Sequence, residues 1–409
     1  MFDLDSFINE YVTKRPRSMF LEDIESYSEE LFNAISNKSI LVIGGAGSIG
    51  SSFIKALLPY HPNELVVVDT NENGLTELTR SLRSSDVYSS LIPKVFLTYP
   101  MSYSSEVFKK MFLNHRRTSG ANGFDIVANF SAHKHVRSEK DIYSIEALLR
   151  NNVINALALL ELLEKNPPET YFCVSTDKAA NPVNIMGASK RVMEDMIFSF
   201  SDVFDVKTAR FANVAFSNGS LPAGFLERIS KHQPLSAPSD VKRYFVSPEE
   251  SGQICMLSAM LGRNRAIFFP KLDAAEMTSF DHIAEDLLAY MGYKIAYCDS
   301  DEQAITNASA WNEGLPYPVH FSESDTNGEK AYEEFFTKKE QVDMKTFKSL
   351  GIIVDKPQPD KKAVIELIQK LDRTFADINC QKEDVVKILA DYLPDFKHIE
   401  TGKNLDEKM

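Results

Sequence analysis

The chain is poor in cysteine, with 4 in 409 residues, and it carries a single tryptophan. Cys173, Cys255, Cys298 and Cys380 lie far apart and never form a C-x-x-C pair. That spacing argues against a disulfide scaffold or a zinc ribbon and leaves buried, reduced thiols. Positive charge is the minority sign: 45 Lys and Arg stand against 58 Asp and Glu, a formal net charge of −13. Nucleic acid and anionic membranes both demand a basic face, so a non-specific binder of either is not expected. An anionic small molecule needs only a few converging cations. Long apolar runs are missing as well. The stretch from Ala156 to Leu163 falls far short of the ~20 residues that cross a bilayer. The opening MFDLDSFINEYVTKRPRSMF carries early acids and no long apolar run, so no signal peptide is expected there. The expectation is a soluble, cytoplasmic protein with no membrane span.

What remains is an ordinary globular composition, 44% hydrophobic and 25% charged, long enough for two or three structural units. Residues 1–38 read as short amphipathic helices, with apolar positions at Phe20, Leu21, Ile24, Leu31, Phe32 and Ile35. From Ser39 the pattern changes to short, continuous apolar runs of the kind buried on both faces of a parallel sheet. They are Ser39-Ile-Leu-Val-Ile-Gly, Glu64 to Asp69, Lys94-Val-Phe-Leu, Asp125 to Asn129, Tyr171 to Ser175 and Lys207 to Phe211. Helical patterns lie between them at Ile49 to Leu58, Leu75 to Leu82, Ile142 to Leu163 and Met186 to Phe200. Alternation of this kind predicts an α/β fold, a Rossmann-type doubly wound parallel sheet over residues 39–217. Residues 218–397 read as a smaller, α-rich substrate-binding region with C-terminal helices at Lys361 to Phe375 and Lys382 to Leu393. Some of its strands, such as Ile267-Phe-Phe, are free to return to the sheet. Residues 398–409 read as a polar, flexible tail.

Gly44-Gly-Ala-Gly47-Ser-Ile-Gly50 follows the first strand directly and opens the first helix. A tight turn, a pyrophosphate touching the backbone and a helix packed close on the sheet each exclude a Cβ. The amides around Ser48 and Ile49 and the helix dipole then face a diphosphate. Asp69 ends the next strand, 19 residues beyond Gly50, where a carboxylate accepts bonds from a ribose diol. It would repel a 2′-phosphate, and no Arg or Lys follows in Thr70-Asn-Glu-Asn-Gly74, so NAD is favoured over NADP.

Three further segments complete the pattern: Asn129-Phe-Ser-Ala-His-Lys-His-Val136, Val174-Ser-Thr-Asp-Lys-Ala-Ala-Asn-Pro182 and Asn184-Ile-Met-Gly-Ala-Ser-Lys190. With the glycine loop they resemble the extended short-chain dehydrogenase/reductase superfamily, and within it the polysaccharide-biosynthesis group of UDP-N-acetylglucosamine 4,6-dehydratases. The resemblance runs from about Ile40 to Phe280 and recurs weakly from Gly328 to Glu334. Most of the superfamily has Tyr-x-x-x-Lys. Here Lys190 is kept and Met186 stands at the tyrosine position, a thioether that cannot accept the hydroxyl proton. The branch that retains configuration at C5 is similar in having methionine there.

The resemblance implies NAD, tightly bound and regenerated at each turnover, and a reaction in three parts. C4 of the sugar is oxidised, water is lost across C5 and C6, and hydride returns to C6. Asp177 would be the acid for the departing hydroxyl and Lys178 the base at C5 once its pKa is lowered. The O4 proton goes to Asp177 itself or passes through Thr176. By the same matching Asn152 helps to hold Lys190. Lys134 and His135 line the sugar pocket or contact the diphosphate; a His-x-His metal site lacks companion ligands, so no metal is expected. Asn213 and Arg243 match diphosphate contacts, and Ser220-Leu-Pro222 resembles a segment that pairs with a uracil edge. Two departures stand out: Ala212 where many relatives have Gly, and Thr98-Tyr-Pro-Met101 where an adenine-side Asp is usual. The implied assembly is a homodimer through the helices containing Ile142 to Leu163 and Met186 to Phe200, with the N-terminal helices as a lid or dimer element. A GDP-sugar dehydratase, a nucleotide-sugar 4-epimerase and a catalytically silent NAD-binding regulator are the alternatives. The Asp177-Lys178 pair favours dehydration, because epimerisation needs no acid and base aimed at C5 and C6.

Overall fold

The valine-, isoleucine- and leucine-rich runs become strands whose two faces are both covered, which is why they lack polar alternation. In the computed structural model, which describes residues 2–117, 119–324 and 334–399, they build one large sheet. Its strands are β1 (Ser39–Ile43), β2 (Glu64–Asp69), β3 (Val95–Pro100), β4 (Ile126–Asn129), β5 (Thr170–Thr176), β6 (Asp205–Phe211), β7 (Ile267–Pro270), β8 (Gln341–Asp343) and β9 (Leu350–Val354). The spatial order of these 9 strands is β8-β9-β7-β6-β5-β4-β1-β2-β3. From β3 to β7 every neighbouring pair is parallel; β9 runs antiparallel to β7, and β8 antiparallel to β9. The fold is therefore a doubly wound α/β sheet with a short antiparallel extension at one edge. The two edge strands are exceptions to full burial: Val95 and Leu97 of β3 are exposed, as is Gln341 of β8.

The region after residue 218 is less purely helical than its sequence pattern. It sends β7, β8 and β9 back into the large sheet. Leu235–Pro238, Ile295–Tyr297 and Tyr317–Ser322 also form a 3-stranded parallel sheet of their own. Phe225, Leu235, Phe245, Ile283, Leu287, Tyr317 and Val319 make a second core around it, which Phe7, Ile8 and Val12 of the N-terminal segment join. That segment is pinned from both sides. Arg15 bridges Glu250 at 2.7 Å and Glu276 at 3.0 Å, and the Asp23 carboxylate accepts the Lys348 and Ser349 amides at 2.6 and 2.8 Å.

The helix expected from Ile142 to Leu163 is interrupted. A π-helical turn, Arg150–Ile154, separates Ile142–Leu149 from Asn155–Lys165, and Asn152 lies in that turn. The helices of interest here are α1 (Ser48–Leu57), α2 (Ile185–Phe198), α3 (Leu221–Ser230), α4 (Lys361–Phe375) and α5 (Lys382–Tyr392). α4 lies against the pair of helices that the resemblance makes a subunit contact. Lys361 bonds Glu164 at 2.5 Å and stands 3.9 Å over the Phe200 ring, and Arg150 bonds Asp372 at 2.8 Å. Nearly all of α2 is buried within one chain. Among the described residues no helix is long and apolar enough to cross a membrane. Residues 328–333 of the recurrence and the tail from residue 400 lie outside the described residues; Glu334, His398 and Ile399 are within them.

Candidate active site

Because β1 to β6 are parallel, the loops after their C-terminal ends share one rim, and the strand order reverses between β1 and β4. Ligands in open α/β sheets sit at that reversal. The glycine loop occupies it. Gly44 has φ +76°, a left-handed value, and a Cβ there would lie 2.7 Å from the Ser131 amide nitrogen in the loop after β4. A Cβ on Gly50 would lie 2.4 Å from the Gly44 carbonyl oxygen. Gly47 caps α1 without any side-chain hydrogen bond, so the first-turn amides at Ser48, Ile49 and Gly50 are not claimed by a capping group. Asp69 holds the loop from the side: its two carboxylate oxygens accept the Ala46 and Asn71 amides at 3.0 and 2.9 Å. These features fit a dinucleotide, with the amides of 48–50 toward the pyrophosphate and Asp69 toward a ribose.

Beyond β5 the chain makes a 3-10 turn, Asp177–Ala179, and three donors converge on one oxygen. Asp177 Oδ1 accepts from Thr176 Oγ1 at 2.7 Å, from the Lys178 amide at 2.9 Å and from Lys178 Nζ at 3.3 Å. Asp177 is buried, so the ion pair is partly shielded from water. Thr176, Asp177 and Lys178 are thus one unit.

Lys190 is brought to the same strand end but not to the same partners. Its ammonium donates to the Val174 carbonyl at 3.0 Å, and burial holds its pKa below the usual lysine value. Among the described residues no hydrogen bond joins Asn152 to that ammonium. Its Oδ1 accepts the His133 amide at 2.8 Å, while Nδ2 donates to the His133 carbonyl at 2.9 Å and to Ser189 Oγ at 3.2 Å. The reciprocal pair of bonds fixes the loop after β4, and the bond to Ser189 ties Asn152 to the residue that precedes Lys190. The π-turn gives Asn152 this aim by displacing it from the regular helical phase. Met186 is buried in the first turn of α2.

Next to the glycine loop the loops after β4 and β6 meet. Ser48 Oγ accepts the Asn218 amide at 2.9 Å, and Gly219, with φ +74°, packs its Cα so close that a Cβ would lie 3.1 Å from His135 Nε2. Ser220 caps α3, its hydroxyl accepting the Ala223 amide at 3.3 Å. Lys134 is solvent-accessible, yet desolvation by the surrounding protein lowers its pKa. Asn213 opposes Phe245 in a two-residue parallel pairing next to Arg243, which is buried and donates to the Lys242 carbonyl at 2.9 Å. Among the described residues Asn213 Nδ2 is a buried donor with no hydrogen-bond partner, a group that a ligand oxygen would satisfy.

The motif reading missed the groups behind the site. Ser175 and Arg210 are register partners on β5 and β6. Arg210, fully buried, donates to Glu194 Oε1 and Oε2 at 2.8 Å each, to Glu340 at 2.9 Å twice and to the Phe335 carbonyl at 2.8 Å. Ser175 Oγ also donates to Glu194 Oε1 at 2.7 Å. Burial opposes charge on Glu194, yet Arg210, Lys356 and Arg191 hold its carboxyl well below the usual range. A signal existed: Glu194 follows Lys190 by one helical turn, on a helix too apolar around it to leave an acid in water. Glu340, 130 residues from Arg210, gave none.

The model of the family described as polysaccharide biosynthesis protein matches residues 40–355. A probable polysaccharide biosynthesis protein of Bacillus subtilis is 29% identical over 371 residues, 87% of this chain and 56% of that protein. The chain thus spans little more than half the length of that relative. A Campylobacter jejuni protein named UDP-N-acetylglucosamine 4,6-dehydratase (inverting) is 25% identical over 256 residues, 60% of this chain and 71% of its own. Among solved structures, the dTDP-glucose 4,6-dehydratase DesIV of Streptomyces venezuelae, with NAD and TYD bound, superposes with a TM-score of 0.52 at 18% identity. It covers 74% of this chain and 89% of its own.

Proposed function

Since the chain belongs to the polysaccharide biosynthesis protein family, we propose that it is an NAD-dependent nucleotide-sugar 4,6-dehydratase. Its substrate is UDP-N-acetylglucosamine, and its product is the UDP-4-keto-6-deoxy sugar used to build surface glycans or nonulosonic acids. Residues 39–217 hold the cofactor and residues 218–397 the sugar nucleotide. The observation that carries the proposal is the convergence of Thr176, Lys178 and the peptide amide on Asp177 Oδ1 at the rim beside the glycine loop. An epimerase has no use for a carboxyl and an amine locked together there.

NAD, held by the amides of 48–50 and by Asp69, would supply the hydride acceptor for C4 and the hydride donor for C6. The protein supplies the protons. Thr176 donates its own proton to Asp177 and accepts the Lys178 amide at 3.4 Å, and its remaining lone pair accepts the O4 proton of the sugar; the carboxyl thereby becomes neutral. Lys178, in its neutral form, takes the C5 proton, and Asp177 then protonates the C6 hydroxyl, which leaves as water. Lys178 gives its proton back to C5 as hydride arrives at C6. The sugar loses one water, and both side chains end as they began. Lys190 orients the nicotinamide ribose, and Met186, which carries no proton, packs. Retention at C5 follows the methionine. Asn213 and Arg243 hold the diphosphate, with Lys134 and His135 at the cleft wall.

The test is mass spectrometry of the product made from UDP- and GDP-sugars in heavy water. A UDP-linked product lighter by one water and carrying deuterium is expected. A C4 epimer of unchanged mass, or no product from any common nucleotide sugar, overturns the proposal. In the active enzyme, Asp177→Asn and Lys178→Ala each lower turnover by roughly 10²-fold or more while NAD stays bound, and Met186→Ala costs much less.

A further inference from the structure

Glu139 lies at the end of a short helix, Val136–Glu139, in the loop after β4, and it is buried. A buried carboxylate needs partners. One oxygen accepts the Met186 amide at 2.9 Å; the other stands 3.3 Å from His398 Nε2. The Glu139 carbonyl also accepts Lys382 Nζ at 3.3 Å, from α5. Met186 is in the first turn of α2, where an amide has no partner within the helix and where negative charge favours the helix dipole. Asn184 accepts the Gly187 amide at 2.7 Å, so two side chains fix that turn.

The same turn is the back wall of the Asp177-Lys178 unit. Gly187 packs its Cα so closely that a Cβ would lie 2.8 Å from the Lys178 carbonyl oxygen. The C-terminal segment grips from outside: the Ile399 amide donates to the Val183 carbonyl at 3.0 Å, beside the His398 contact. Contacts therefore run from His398 through Glu139 and Met186 N to Gly187 and the carbonyl of Lys178, the proposed base.

We propose that Glu139 is a positioning residue for the Asp177-Lys178 turn, and that the C-terminal segment Phe396–Ile399 acts on the site through it. The effect on rate rests on the dehydratase reading; the effect on the turn does not. Misplacing reacting groups by about 1 Å costs on the order of 10²-fold in rate.

Three variants test this: Glu139→Ala, Glu139→Gln, which keeps an acceptor for the Met186 amide, and His398→Ala. Each is followed by steady-state kinetics with UDP-N-acetylglucosamine, by NAD affinity and by hydrogen exchange of the peptide containing residues 183–190. Glu139→Ala is expected to lower kcat by about 10- to 10²-fold, with KM and NAD affinity within about threefold. Exchange at Met186 rises in this variant. Glu139→Gln restores both readouts most of the way, and His398→Ala shifts them in the same direction by less. Unchanged exchange in Glu139→Ala overturns the proposal. So does a loss of NAD affinity as large as the loss of kcat, since that is the mark of a merely structural role. If the wild-type protein turns over no nucleotide sugar, the functional reading fails by itself and the exchange comparison still decides the positioning role.

Discussion

Replacing Arg210 by methionine removes the centre of a buried charge network while keeping most of the side-chain volume. The five hydrogen bonds that Arg210 donates disappear, and two carboxylates, Glu194 and Glu340, lose their bidentate partner. Breaking a buried pair from one side costs about 3–5 kcal/mol, because the remaining charge has no water. The lower end applies here, since Lys356 remains 3.1 Å from Glu340 and 3.6 Å from Glu194, and Arg191 remains 3.5 Å from Glu194. The assay is urea unfolding followed by far-ultraviolet circular dichroism. At a slope of about 3 kcal/mol/M the midpoint falls by about 1 M. The pH dependence has a definite sign. Glu194 has a folded pKa far below its ordinary 4.5, so its contribution is complete above 4.5 and is lost as pH falls below it. In the variant that carboxyl protonates readily, so the gap between the two proteins narrows as the solution is acidified. A midpoint shift below about 0.3 M at neutral pH, equivalent to about 1 kcal/mol, would refute the reasoning.

Two further outcomes follow from single contacts. Gly50→Ala puts a Cβ against the Gly44 carbonyl oxygen and the Gly45 Cα, at 2.4 and 2.8 Å, both backbone atoms that must move. NAD titration should then show affinity reduced by more than about tenfold, or 1.4 kcal/mol, with little change in the far-ultraviolet spectrum; unaltered affinity removes the loop from cofactor binding. Thr176→Val deletes the hydroxyl that donates to Asp177 at 2.7 Å and should lower kcat by about 10²-fold with KM little changed, whereas Thr176→Ser keeps most of the rate. Equal rates in the valine and serine variants exclude a relay.

The parts of this protein that were legible in its sequence are those where neighbours in the chain are neighbours in space. The glycine loop, Asp69 and the Thr176-Asp177-Lys178 run each lie within a strand–turn–helix unit, so local spacing carries their geometry. The buried runs of β1, β2, β4 and β5 declared themselves because both faces are covered. Other parts depend on partners distant in the chain. β9 pairs with β7 across some 80 positions, and nothing in Leu350–Val354 says that it will lie antiparallel at the edge of a parallel sheet. Glu139 shows the same limit from the side of the site. It looks like one acid in a mixed-charge stretch, and only the return of His398 and α5 explains its burial.

The C-terminal segment and the missing tyrosine meet at one place. A tyrosine at position 186 would supply its proton acceptor from the first turn of α2, so the turn itself would carry the chemistry. With methionine there, the proton work passes in the proposed mechanism to Asp177 and Lys178, and α2 is left to hold that pair in position by contact. Contact through a glycine is only as firm as the turn behind it. That turn is secured by Asn184 from within and by Glu139 from outside, with His398 and Ile399 closing over both. A catalytic group moved from a helix to a short loop needs external bracing, because loops are the less precise platform. The extended C-terminal chain, with α4 against α2 and α5 reaching Glu139, supplies bracing on the side of α2 that faces away from the sheet.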